Sequence, residues 1–242
     1  MQVLERRKAN LVFSLTMEAI RLIIKYRPTV SPINIRGVLM TSKKHQILDI
    51  SLELFMKKGF DATSISDILA QADIARGTLY YHFESKEAIM DAIIDRLIDQ
   101  VLEKVQEVLE NKELSHAEKF FAFFTSMNLT QLTGNEKMVD YFNQPQNALF
   151  HEKSNRRIIE KVTPALSHLI QEGMKAGIYQ TDFPDETAEL ILVSISGFID
   201  RDYQTLAPEV LKKRLESFLY NISRLLQLSK DHYQLYRQLL FR

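Results

Sequence analysis

The chain has 242 residues, enough for one large domain or two small ones. Of these, 45% are hydrophobic and 26% charged, an ordinary balance for a globular protein; the zero formal net charge argues against a strongly basic nucleic-acid protein but leaves a local patch open. The absence of Cys excludes disulfides, thiolate metal sites and cysteine nucleophiles, the six His show no HExxH-type spacing, and only 7 Gly and 6 Pro favour long helices over many short strands.

Residues 1–40 carry seven Lys or Arg against two Glu, so the rest of the chain is net acidic. The apolar run 9-ANLVFSLTMEAIRLIIKY-26 is interrupted by Glu18, Arg21 and Lys25. Its longest uncharged stretch, Ala9 to Met17, falls short of the about 20 residues a bilayer span needs, so no membrane span is expected. The start Arg6-Arg7-Lys8 followed by a short apolar core has the outline of a signal peptide, yet no small-residue cleavage site follows and Glu18 stands inside the core. Pro28, Pro32 and Gly37 make 27-RPTVSPINIRG-37 a linker. Three readings stay open for residues 1–40: an extension ahead of a natural start at Met40, an extra amphipathic helix docked on the body, or a basic helix lying on a membrane surface.

From Thr41 the apolar spacing turns helical. Ile47, Ile50 and Leu54, with Leu48, Leu52 and Phe55 one position off, recur at three- and four-residue intervals. Thr41 or Ser42 can cap this helix, and Gly59 after Lys57-Lys58 stops it, giving about 42–58. A second, short helix lies within 63-TSISDILAQADI-74, capped by Thr63 or Ser64 with Asp67 in capping-box position, and Asp73 ends it in a tight turn. A third runs from about Ala75 to Tyr80 or Tyr81. Two short helices joined by such a turn make a helix-turn-helix.

The order of long helix, Gly59-Phe60, Thr63, Ile68, Ala72, Gly77, Leu79, Tyr80, Phe83 and Ser85-Lys86-Glu87 resembles the DNA-binding head of the tetracycline-repressor (TetR) family over about a fifth of the chain. In a helix-turn-helix the second helix presents its N-terminal residues to base edges in the major groove. Arg76 is then the candidate base reader, since Arg pairs bidentately with guanine. Thr78 can touch a base or phosphate, and Gly77 permits close approach at a cost of about 1 kcal/mol in helix propensity. Tyr80, Tyr81 and His82 carry groups that can donate to phosphate oxygens, although Tyr81 could equally pack. Lys86 stands in a helix first turn, which disfavours cations and calls for a partner; a phosphate fits. The resemblance implies backbone contacts at Tyr80, His82, Lys86 and the stretch Thr41 to Lys44. The DNA-facing set is therefore Thr41, Lys43, Lys44 and Ser64, then Arg76, Gly77 and Thr78, then Tyr80, Tyr81, His82 and Lys86. The family often has Ser or Thr where Ala75 stands; Ala caps poorly, which leaves Asp73 as the candidate cap.

Further on, Ser85 to about Glu110 is a long helix with an apolar stripe from Ile89 to Val108. Ser115 caps a helix to about Leu132, and a short helix is expected from Glu136 to Phe142. The segment 147–177 is helical, with Pro164 expected to kink or divide it. Helices 185–203 and 209–228 follow, each opened by a Pro, and the tail 229–242 adds a further short helix. The helix from Asp185 is apolar almost all round, which indicates burial on more than one side. Leu192, Ser196 and Gly197, with Leu211, Leu215, Phe218 and Ile222, either form a twofold four-helix dimer interface, as the resemblance implies, or close the chain's own core. Phe120, Phe124, Met127, Phe142 and Phe150, with Asn128, Asn143 and His151, either line an apolar effector pocket or are core.

The expectation is an all-α protein: an extension at 1–40, a helix-turn-helix head at 41–87 and a helical ligand-binding and dimerisation body at 88–242. It would be a cytoplasmic, homodimeric, sequence-specific transcriptional repressor that binds a double-stranded DNA operator and is released by a small apolar effector. No cofactor or metal is expected. The alternative is a helical DNA-binding regulator or adaptor controlled by a protein partner, without a ligand. An enzyme is disfavoured, because no phosphate loop, metal spacing or nucleophile motif is present.

Overall fold

The computed structural model describes residues 42–127, 148–199 and 207–241, apart from the side chains at 196–199 and 208. The segment 1–40, Thr41 and the short helix expected at Glu136 to Phe142 lie outside the described residues. Regular structure among the described residues is all helical: α1 Lys43–Lys58, α2 Ile65–Ala72, α3 Arg76–His82, α4 Lys86–Glu110, α5 His116–Ser126, α6 Ala148–Lys175, α7 Pro184–Ile199, α8 Pro208–Leu225 and α9 Lys230–Leu240. By their contacts these residues form two compact units, one holding 42–103 and 148–158, the other 104–127, 159–199 and 207–241.

In the first unit short-range signals set the helix ends. The Ser42 hydroxyl accepts from the His45 N–H at 3.4 Å. Gly59 stops α1 at φ 89°, a conformation open to glycine, and its N–H donates to the Phe55 carbonyl at 2.8 Å. Ser64 and Asp67 complete a capping box on α2. Asp73 ends α2 in the left-handed region at φ 49°. It is therefore the stop of α2 and not the cap of α3; Ala75 occupies that place with no side-chain cap bond.

The core of this unit gathers Ile47, Leu48 and Phe55 of α1, Ile68 of α2 and Leu79 of α3 against Ile89, Met90, Ile93 and Leu97 of α4. Burying a side chain of this size contributes about 1.5–3 kcal/mol. Phe150, from the first turn of α6, is fully buried in the same core. Two ion pairs fasten that start of α6 to α4: Lys153–Asp91 at 2.7 Å and Arg157–Asp95 at 3.5 Å.

In the second unit Ser115 and Glu118 form a capping box on α5. α6, whose later part from 159 lies in this unit, runs from Ala148 to Lys175 through Pro164, so of the expected kink or division the division does not occur. Pro164 sits on the exposed face, while Val162, Leu166 and Ile170 around it are buried. Their packing outweighs the about 3 kcal/mol that proline costs a helix interior. The tail helix α9 packs against α8 and α5. It buries Tyr236, Leu239 and Leu240, so the tail is part of the core.

Candidate nucleic-acid interface

α3 is seven residues long and is pinned by Leu79, which is 0% exposed. At 100° per residue, Tyr81 then points away from the core. It is 84% exposed, which removes the packing alternative. Tyr80 is 43% exposed and Arg76 and Gly77 are also exposed, whereas Thr78 and His82 are half-buried. The His82 ring meets Tyr81 edge-on at 4.9 Å. A methyl added at Gly77 would meet nothing within 4 Å. Among the described residues no neighbour therefore requires a glycine there.

The other expected DNA contacts divide by what already holds them. Lys43 and Lys44 are exposed at the start of α1; Lys43 donates to Gln46 Oε1 at 3.0 Å and Lys44 lies 5.8 Å from the Phe83 ring centre. The Ser64 hydroxyl is taken up by its cap, donating to Asp67 Oδ2 at 2.8 Å. Asp67 also accepts from Lys58 at 2.8 Å. The Lys58 ammonium, then the Ser64 N–H and hydroxyl, hold the Asp67 carboxyl well below the usual carboxylate range.

Lys86 has a partner other than the phosphate expected for it. Its ammonium donates to the carbonyls of Phe60 at 2.8 Å and Thr63 at 2.9 Å, and sits 4.3 Å from the Phe60 ring centre. The turn between α1 and α2 leaves these carbonyls without helical donors, and a lysine three elements away in the chain fills them. The Thr63 side chain closes the same turn by donating to the Gly59 carbonyl at 2.8 Å. Sequence spacing shows Lys86 as an exposed cation and carries no sign of these partners.

The residues expected at a dimer interface are largely turned inward. Leu192, Leu211 and Ile222 are buried in the chain's own unit, and Leu215 and Phe218 are half-buried. The side chains of Ser196 and Gly197 lie outside the described residues. The outward faces of α7 and α8 instead expose Leu190, Val193, Val210, Tyr220 and Leu225.

The described residues expected to line a pocket fall in both units. Phe150 belongs to the core of the first unit, and His151 next to it contacts Asn155 at 3.5 Å. Asn128, Phe142 and Asn143 lie outside the described residues. Phe120 packs against Phe121, Phe124, Tyr179 and Tyr236 at ring-centre distances of 5.1–6.4 Å, while Met127 caps the end of α5. The Tyr179 and Tyr236 hydroxyls are hydrogen-bonded to each other. Burial pushes both phenols up. His116 meets the Tyr179 ring at 5.0 Å, and its Nε2 is buried with no hydrogen-bond partner among the described residues. Burial, with Lys119 nearby, pushes the His116 imidazole below its ordinary pKa. A methyl on Gly173 would stand 2.2 Å from the Tyr179 ring and 2.6 Å from His116 Nε2. Neither Tyr179 nor Tyr236 stands out in the sequence, because 57 residues separate them.

Among the described residues no group of His, Asp or Glu is placed to hold a metal ion, and no helix is long and apolar enough to cross a membrane.

Comparison with known proteins agrees with this geometry. Residues 47–93 match the bacterial regulatory proteins of the tetR family, and residues 130–219 match the tetracyclin repressor-like C-terminal domain; together these cover more than half of the chain. The HTH-type transcriptional regulator YerO of Bacillus subtilis is 47% identical over 51 residues, which is 21% of this chain and 18% of YerO. The HTH-type transcriptional repressor DhaR of Mycobacterium sp. (strain GP1) is 23% identical over 66% of this chain and 82% of its own length. The crystal structure of a TetR-family transcriptional regulator from Syntrophomonas wolfei superposes with a TM-score of 0.55, at 22% identity, over 76% of this chain and 95% of that one, which shows the fold. With an all-helical architecture, a helix-turn-helix whose second helix bares its outer face, and both characteristic domains matched, the chain belongs to the TetR family of bacterial regulatory proteins, DNA-binding transcriptional regulators and not enzymes.

Proposed function

We propose that the chain is a cytoplasmic, homodimeric repressor that binds a palindromic operator and is released by a small apolar effector, with residues 41–87 as its head and 88–242 as its body. The outer face of α3 carries the reading: Arg76, Gly77, Tyr80 and Tyr81 are exposed around a fully buried Leu79, so the helix offers donors and rings to a groove. DhaR, similar over most of its length, is a transcriptional repressor. Arg76 reads a base edge; Lys43, Lys44, Tyr81 and His82 hold the phosphates beside it. Lys86 supports the head from inside. Selection of bound sequences from a random duplex pool by the full chain tests this. An enriched palindrome with half-sites about one helical turn apart is expected. A folded chain that enriches no sequence would refute it.

The dimer face is assigned to the outward side of α7 and α8, where Leu190, Val193 and Val210 are each close to half exposed. Val193→Glu is expected to halve the sedimenting mass; an unchanged mass would move the interface elsewhere.

One observation favours control by a protein partner without a ligand. The α5 aromatics close on one another so tightly that Gly173 has no room for a methyl group. A panel of small aromatic and aliphatic compounds, scored by displacement of the selected duplex, decides between the two. Displacement by any of them supports an effector; none, with duplex binding intact, supports the partner.

A further inference from the structure

We infer that Tyr80 is a positioning residue for Arg76: its ring holds the guanidinium on the outer face of α3, ready for a base edge. The inference rests on Arg76 being the base reader. Arg76 is the first residue of α3 and Tyr80 follows four residues later, so the two share one face of the helix. The guanidinium carbon lies 5.5 Å from the centre of the Tyr80 ring, within cation–π range. The first turn of α3 contains no acidic residue, and among the described residues no carboxylate or carbonyl pairs with Arg76.

A cation at a helix N-terminus faces the positive end of the dipole and needs compensation. Lys86, in the same situation on α4, obtains it from the carbonyls of Phe60, Asp61 and Thr63, which take up its three donors. Arg76 obtains it from a ring face, which carries negative charge density but takes up no hydrogen-bonding position of the fork. The planar fork of N–H donors stays available for the O6 and N7 of guanine. The buried Leu79 beside it fixes the backbone of Tyr80, and Gly77 places no side chain between the pair and the duplex. What matters at position 80 is therefore the ring, whereas a phosphate contact would need the hydroxyl.

The test is selection from a random duplex pool by the full chain and by Arg76→Ala, Tyr80→Leu and Tyr80→Phe, read as base preference at each position. Preferences are ratios within one sample, so a partly folded variant still gives an answer. Arg76→Ala is expected to erase the preference at one position of each half-site, about ten- to a hundredfold. Tyr80→Leu should weaken the preference at that same position about two- to fivefold, with the other positions unchanged, and Tyr80→Phe should keep it. If both Tyr80 variants weaken binding to every sequence alike and leave the preferences intact, the hydroxyl is a phosphate contact and the inference fails while the reading of Arg76 stands. If Arg76→Ala leaves every preference unchanged, or the unaltered chain enriches nothing, the reading of Arg76 fails and the inference with it.

Discussion

The chain holds two groups of aromatic side chains close to a glycine, and they behave in opposite ways. Around Gly77, the Tyr80 and Tyr81 rings face outward and the glycine has open space on its free side. Around Gly173, the rings of Phe120, Tyr179 and Tyr236 face each other and the glycine is pressed against Tyr179 and His116. Residue types are nearly the same, so composition does not separate the two. The difference lies in what satisfies the polar tips: Tyr179 and Tyr236 satisfy one another, whereas the exposed Tyr80 and Tyr81 hydroxyls have no hydrogen-bond partner among the described residues. Large rings left out of a core stay free to meet a partner; rings closed over their own hydroxyls are packing.

Substitution at the glycines should break this contrast most sharply. Gly173→Ala is expected to cost about 3 kcal/mol in urea unfolding, the upper end of overpacking, because the Tyr179 ring is held by Phe120, His116 and Tyr236 and cannot move aside. Gly77→Ala should instead stabilise by up to about 1 kcal/mol while weakening duplex binding. Equal effects of the two on stability would show that the crowding at Gly173 relaxes freely.

Lys86→Ala comes next. It leaves the carbonyls of Phe60 and Thr63 without their cationic donor and should cost about 2 kcal/mol of stability, as for hydrogen bonds to charged groups. Its salt slope for duplex binding should stay as in the unaltered chain, whereas loss of a phosphate contact would lower that slope by about one. A lowered slope with unchanged stability would return Lys86 to the duplex.

Tyr236→Phe should cost about 1 kcal/mol, since it orphans the buried Tyr179 hydroxyl. Tyr179→Phe together with Tyr236→Phe should cost less than the two single changes added, as a double-mutant cycle would show.

The smallest effect concerns pH. His116 has a folded pKa below its ordinary value, so the unfolded chain binds its proton more readily. Its contribution is complete above about pH 6.5 and is lost as the pH falls towards the folded pKa. Unfolding midpoints measured from pH 7.5 to 5 should decline, and His116→Asn should flatten the decline. An unaltered slope in the variant would place the titrating group elsewhere.

How much was legible in the sequence follows the range of the signals. Ser64 with Asp67, Ser115, Gly59 after two lysines and Pro208 at a helix start act within one turn of chain, and each stands where the pattern puts it. The spacing of Ile47, Ile68 and Leu79 likewise marks the side of each short helix that must be buried. Helicity, most helix starts and the helix-turn-helix were therefore determined locally, whereas α5 ends at Ser126 and not near Leu132, and α3 starts after Ala75 without the expected Asp73 cap. The tertiary structure decided what local pattern leaves open. α7 and α8 are apolar on more than one face, and periodicity does not tell which face meets the chain's own core; Leu192 and Leu211 turned inward, Leu190 and Val193 outward. Pro164 stayed within a continuous helix whose Val162, Leu166 and Ile170 are buried around it. Phe150 joined the core of the first unit with Ile47, Leu79 and Ile89, and Lys86 met carbonyls more than twenty residues away. Such partners are brought together only when hydrophobic burial folds distant segments onto one another, and no spacing along the chain records them.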